Sequence, residues 1–334
     1  SKVLANLVIT ALRDGGWGCV SAADVKVENK SAHGVGECFK VSAENADPPV
    51  VALHKFSNLS AYDLDSDFIG RMADAAKVFS DGHLGPRCLA HGWDWFIEVW
   101  EGNGQPDFES VDKFKELGKL VADVHKLPTE WFDTWREKAC ERRPELRDIP
   151  HGSHAWWYFC APRGTFPEDE ECLQFWIKDE PCFAPSSSAL RRLVTTHGDC
   201  KPDNLIETDS GMRLLDFEIT TVSSAAFDVG WVFMWAGTGP EAKKNKLAFL
   251  EEYMASSGLS TDVENVEKLY LDAEIYKMVM PWGNLWPAVS DNNKQRIYFL
   301  ETLILKARQD PEIVKQILDE GIDAAMKFLE NEAD

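Results

Sequence analysis

The stretch Thr195–Glu218, TTHGDCKPDNLIETDSGMRLLDFE, decides how the rest of the chain is read. Val194 and Thr195 close an apolar run, Asn204 to Glu207 form a brief strand, Asp209-Ser210-Gly211 a tight turn, and Met212 to Leu215 the returning strand. Asp199 and Asn204 then stand at the two ends of one loop, and Asp216 follows the return strand. Such a hairpin brings three polar side chains to one side of a cleft.

That grouping suits phosphoryl transfer from a metal-bound nucleotide. A carboxylate at Asp199 can orient a substrate hydroxyl and accept its proton, while Asn204 and Asp216 offer hard oxygen donors to magnesium. Imidazole suits magnesium poorly, so His197, just ahead of the loop, reads as a hydrogen-bonding residue. Lys201 is placed either to neutralise charge developing beside Asp199 or to sit as a solvated loop lysine. Glu218 is a further candidate to position the ion or the substrate, with Asp216 the primary ligand.

Outward from this hairpin, 334 residues with 44% apolar content are enough for two lobes around a shared cleft. Thirty-five basic residues against 56 acidic ones give a net charge of -21, which argues against nucleic acid or an anionic membrane as a partner. No apolar run reaches transmembrane length, and Ser1 to Thr10 lacks a secretory pattern. Eight scattered cysteines without a CxxC pair point to reduced, structural thiols and a cytoplasmic setting, and Cys200 reads as a packing residue inside the loop.

Towards the amino end, Val3 to Leu12 is a helical candidate, and Asp24 to Asn29, Cys38 to Ser42 and Val50 to Phe56 are strand candidates. Between the first two strands, Ser31 to Glu37 makes a turn whose Gly34 and Gly36 permit close backbone approach to phosphates, or simply an ordinary hairpin. Asp63 to Phe79 is helical, followed by strands at Arg87 to Ala90 and Trp95 to Trp100. Beyond it, Val111 to Leu127 carries Phe114, Leu117, Val121 and Val124 on one helical face. The Trp231–Trp235 segment reads as a helix whose aromatics serve the core, or alternatively attract an ammonium group by cation–π contact. Glu312 to Glu330 is expected as one final amphipathic helix.

His197-Gly198-Asp199, Asn204 and Asp216-Phe217-Glu218 together resemble the protein-kinase-like small-molecule kinases, a group that includes choline kinases, ethanolamine kinases and aminoglycoside phosphotransferases. Phe227-Asp228-Val229-Gly230 resembles that family's F-D-[IV]-[GA] segment, which makes Asp228 a structural brace for the loop. Trp282-Gly283-Asn284-Leu285-Trp286 resembles the W-G-L-W region of choline and ethanolamine kinases. The His-Gly-Asp form departs from the His-Asn-Asp of many choline kinases and matches aminoglycoside phosphotransferases at that point.

The resemblance implies an α+β, bilobal protein-kinase-like fold, with a small antiparallel-sheet amino lobe over residues 1–101 and a mainly helical large lobe over 102–334. It implies ATP and Mg2+ and a small hydroxylated amine such as choline or ethanolamine as acceptor. It implies a cation on the third strand, either His54 or Lys55, with Lys55 the better electrostatic candidate. No secure acidic partner for that cation stands on the following helix, where Asp67 and Asp74 are the options. Phe96 to Gly102 resembles the family's hinge, so backbone at Ile97, Glu98 and Val99 is expected to read a nucleobase edge. Trp231, Trp235, Trp282 and Trp286 are the expected acceptor pocket. Two alternatives stay open: an aminoglycoside or other metabolite as acceptor, and an inactive kinase-like module that binds a protein partner. The chain is expected to be a monomer or homodimer.

Overall fold

A computed structural model describes residues 1–30, 36–56, 66–102, 104–151, 153, 156, 183–280, 288 and 293–333. Short runs of apolar residues in the amino-terminal third hydrogen-bond into one antiparallel sheet of β1 (Lys26–Asn29), β2 (Glu37–Ser42), β3 (Val50–Lys55), β4 (Cys88–His91) and β5 (Trp95–Val99), ordered β1-β2-β3-β5-β4. Strand alternation sends Val51, Leu53 and Ile97 to one face, where Val8 of α1 (Lys2–Ala11), Leu12 and Trp17 cover them. The opposite face carries Ala52 and His54 beside their cross-strand partners Glu98 and Phe96. There Phe56 and Phe96 join a core containing Phe68, Ile69, Met72 and Phe79 of α2 (Ser66–Asp81). The sheet is therefore buried on both sides, and its polar residues His54 and Glu98 stand out against an apolar surround.

The remainder is mostly helical. α3 (Val111–Val124) starts at Ser110, whose hydroxyl accepts the Asp112 N–H, and it buries the stripe Phe114, Leu117, Val121 and Val124 that the 3.6-residue period marks out. α4 (Asp133–Arg142) follows, then two small ribbons: β6 (Leu193–Thr196) pairs with β9 (Thr221–Ser224), and β7 (Leu205–Thr208) with β8 (Gly211–Leu214). The last six described helices are α5 (Ala226–Trp235), α6 (Pro240–Ser256), α7 (Val263–Tyr276), α8 (Lys294–Gln309), α9 (Pro311–Glu320) and α10 (Ile322–Ala333). α3 and α6 approach so closely that a Cβ on Gly118 would lie 2.3 Å from the Phe249 carbonyl oxygen. Among the described residues no helix is long and apolar enough to cross a membrane.

Two boundaries differ from the sequence reading. The hairpin's first strand begins at Leu205 rather than Asn204, because Pro202–Asn204 tightens into a 3-10 turn. The single helix expected over 312–330 is broken at Gly321, whose backbone is left-handed with φ +87°. Its cause is the buried Glu274, whose carboxylate accepts the Ile322 N–H at 3.1 Å and so caps α10. The same carboxylate pairs with Lys246 at 2.7 Å and Lys277 at 3.2 Å, so its buried charge is matched.

Candidate active site

The loop between β6 and β7 is fixed from behind before any substrate arrives. Asp228, in the first turn of α5 and 1% exposed, accepts the backbone N–H of His197 and of Gly198, each at 2.9 Å, one on each carboxylate oxygen. His125 approaches the same carboxylate at 3.3 Å and is itself held by the Tyr253 hydroxyl at 2.9 Å. Burial disfavours the Asp228 charge, but the His125 hydrogen bond, the fields of His125 and His197 and the Gly198 N–H outweigh it and hold the carboxyl below the usual range. Gly198 turns the chain here with φ +86°, a conformation that glycine adopts without strain. His197 meets the Leu215 carbonyl at 2.7 Å, a hydrogen-bonding position.

This turn presents Asp199. Its Oδ2 accepts from Lys201 Nζ at 2.5 Å and from Asn204 Nδ2 at 2.9 Å, while its buried Oδ1 has no partner among the described residues. Burial works against the Lys201 charge, yet Asp199 raises that ammonium above its ordinary value. The Asn204 carbonyl accepts the Leu215 N–H at 2.8 Å, which ties the loop to the end of β8, one residue before Asp216.

Asp216 follows with a left-handed backbone, φ +67°, unusual outside glycine. Burial pushes its carboxyl up, and the charge of Asp199 adds to the effect against His197, His54 and Lys201. Glu218 is pushed up to about 8 by burial, then by Asp216 and Asp199, with Arg71 and Lys201 opposing. Asp216 and Glu218 are thus both raised by burial and by neighbouring carboxylate charge that the nearby cations do not offset. Asp216, Glu218 and the amide oxygen of Asn204 are hard donors, and magnesium is ordinarily held by one or two carboxylates together with substrate phosphate oxygens, so the donor set fits that ion. Among the described residues no cluster of three or more His, Cys, Asp or Glu side chains is arranged to hold a metal alone.

On β3 the two cation candidates part company. His54 Nε2 lies 3.0 Å from Glu98 Oε1 and feels Asp216, whereas Lys55, on the other face of the strand, is paired with Asp94. Burial lowers the His54 pKa, but the Glu98 hydrogen bond and the charges of Glu98 and Asp216 raise it overall. Cys38, opposite His54 on β2, is pushed up to about 11 by burial, with Glu98 and Asp216 adding. His54 thus lies on the sheet face that feels the Asp216 charge, and Lys55 lies on the opposite face of β3. His54 takes its acidic partner, Glu98, from the neighbouring strand, while Asp74 on α2 accepts from the Trp135 indole N–H at 2.9 Å.

The backbone expected to read a nucleobase edge lies within β5. Val99 and Trp100 donate their N–H groups to the Arg87 and Val50 carbonyls at 3.0 and 3.2 Å, and Ile97 and Glu98 are paired within the sheet. Those donors are committed to sheet pairing. Beyond them Glu101 pairs with Arg213 of β8, and the Gly104 carbonyl accepts the Glu207 N–H at 2.9 Å, so the chain after β5 is strapped to the β7–β8 hairpin.

Of the aromatic candidates, Trp235 donates to the Cys200 carbonyl at 2.8 Å and packs on Phe108 and Phe114, with ring centroids 4.9 and 5.5 Å away, beside the loop. Trp231 is only 3% exposed and belongs to the core. Gly36 lies against Phe56, whose ring would be 3.0 Å from an added Cβ, so its bare backbone serves packing. Gly34, Trp282 and Trp286 lie outside the described residues, as do the side chain of Asp67 and the aromatics at Trp157, Tyr158, Phe159, Phe175 and Trp176.

Sequence reasoning passed over Arg71 and the side chain of Glu98. Arg71, 5% exposed on α2, donates to the Thr220 carbonyl at 2.8 Å and also to the Glu218 carbonyl. A signal existed for each. Arg71 interrupts the apolar stripe of Phe68, Met72, Ala75 and Phe79, and antiparallel pairing puts residue 98 on the same face as residues 52 and 54.

Residues 69–259 match the sequence profile of the phosphotransferase enzyme family. Comparison with curated protein sequences returns no match. Among solved structures, the fold is similar to a choline kinase from Cryptosporidium parvum, with a TM-score of 0.58 at 15% identity over 94% of this chain and 97% of that one. It is also similar to an ethanolamine kinase from Plasmodium vivax, with a TM-score of 0.54 at 12% identity over 88% of this chain and 80% of that one. At these identities the likeness is one of fold: a small antiparallel-sheet lobe joined to a mainly helical one.

Proposed function

This chain belongs to the phosphotransferase enzyme family, and from that premise we propose that it moves the terminal phosphoryl group of ATP to the hydroxyl of a small amino alcohol such as choline or ethanolamine. The observation that carries the reading is Asp199, whose buried Oδ1 has no partner among the described residues while its Oδ2 is held by Lys201 and Asn204. An acceptor hydroxyl donating to Oδ1 would be aimed for in-line attack on phosphorus. The new oxygen–phosphorus bond forms as the bond to the bridging β,γ oxygen breaks, ADP leaves with that electron pair, and the hydroxyl proton passes to Asp199. Lys201 screens the charge that builds beside it.

His54, held by Glu98, supplies a cation for the nucleotide phosphates. Asn204, Asp216 and Glu218 would hold Mg2+, which when bound neutralises charge on the phosphate oxygens. We set the division between lobes at residues 101 and 102, where the strap to the catalytic hairpin begins. Trp235, the acidic loop and the choline- and ethanolamine-kinase folds that the chain resembles all support an acceptor carrying an ammonium group.

ATP consumption measured against choline, ethanolamine and an aminoglycoside tests the assignment. Choline or ethanolamine should turn over in a Mg2+-dependent manner, and Asp199→Asn should lower that rate about 10²- to 10⁴-fold while leaving ATP binding intact. Turnover of the aminoglycoside alone would replace the acceptor. Folded protein that consumes no ATP with any of them would make the chain a kinase-like binding module.

A further inference from the structure

The metal-binding segment is gripped from two directions. From the large lobe, the His197 ring packs on Phe217 with centroids 5.8 Å apart and the Thr220 hydroxyl donates to the His197 carbonyl at 3.1 Å, while Phe79 of α2 meets Phe217 at 4.8 Å. From α2, the Arg71 guanidinium donates one arm to the Thr220 carbonyl at 2.8 Å and the other to the Glu218 carbonyl, with the Phe68 ring 5.6 Å away. A guanidinium is a planar fork, so two carbonyls two residues apart fix both the position and the tilt of the backbone between them. The Glu218 side chain leaves that same backbone.

We infer that Arg71 is a positioning residue for the divalent-cation site: through the Glu218 and Thr220 carbonyls it sets where the carboxylate of Glu218 stands beside Asp216. The inference rests on the phosphotransferase reading of the site. An outer residue that orients a metal ligand changes metal affinity about 10- to 100-fold when removed, and that is the effect expected here.

The test uses the full chain with Mn2+ as the probe. Free Mn2+ is followed by electron paramagnetic resonance in the presence of saturating ADP, and ADP binding without metal is measured by calorimetry. Arg71→Gln removes the charge and the fork, Arg71→Lys keeps the charge alone, and Lys77→Ala on the exposed side of α2 is the control. Arg71→Gln should weaken Mn2+ binding about 10- to 100-fold, Arg71→Lys should fall between it and wild type, and Lys77→Ala should match wild type. Metal-free ADP affinity should stay constant across the set, a split that general loosening of the fold would not produce. Arg71 variants that bind Mn2+ like wild type, or that lose ADP and Mn2+ affinity together, overturn the inference. If Arg71→Gln does not fold, Arg71→Lys carries the same comparison. Wild-type protein that binds ADP but no Mn2+ would sink the metal-dependent reading itself, and this inference with it.

Discussion

Replacing Asp228 by Asn tests whether the catalytic loop is held by one buried carboxylate. The carboxylate has an oxygen for each of two backbone donors, His197 and Gly198, both at 2.9 Å. A carboxamide has only one oxygen, so its NH2 group must oppose the second N–H at the same separation. Leaving one buried N–H unsatisfied costs about 1–3 kcal/mol, and a hydrogen bond to a charged group contributes about 1.5–3 kcal/mol. Because the two figures overlap, the expected loss is about 3 kcal/mol. Urea unfolding followed by tryptophan fluorescence and far-ultraviolet circular dichroism would report it as a lower midpoint with an unchanged slope. The acid limb supplies an independent check. Since the folded protein holds Asp228 below the ordinary range, its contribution is complete above about pH 4, the unfolded value, and fades as pH falls through the lowered folded pKa. That component should be missing from Asp228→Asn. A variant within about 0.5 kcal/mol of wild type, with the same acid limb, would refute the reasoning.

Three further substitutions separate the sheet from the helical lobe. His54→Ala should raise the KM for ATP about 10-fold or more through loss of a charge-assisted contact, Lys55→Ala should leave it nearly unchanged, and steady-state kinetics decides between them. Gly118→Ala would push a methyl group into the Phe249 carbonyl, so a loss of at least about 1–3 kcal/mol is expected from the urea midpoint, without a change in KM.

Much of this was written locally. The hairpin from Leu205 to Leu214 and the α3 stripe follow from two- and 3.6-residue periods that need no distant partner. The placement of the loop residues was legible for the same reason, since Asp199, Asn204 and Asp216 are close in sequence and their spacing limits where they can go. What escaped depends on pairings between remote segments. Whether His54 or Lys55 faces the cleft is set by register against β5, 44 residues away for Glu98, and local alternation shows only that the two oppose each other. Gly321 ends a helix because Glu274 is waiting 48 residues earlier to cap the next one. Arg71 reaches across 149 residues to Thr220, and nothing nearby in the chain announces its target.

One consequence follows from Glu98 lying on β5. Where a kinase-like fold keeps the acidic partner of its strand cation on a mobile helix, swinging that helix outward silences the enzyme. Here cation and partner occupy adjacent strands stitched together by main-chain hydrogen bonds, so displacing α2 leaves them engaged and instead tugs on the Glu218–Thr220 backbone. Any throttle acting through that helix would work at the end of the cleft where the divalent cation is proposed to sit.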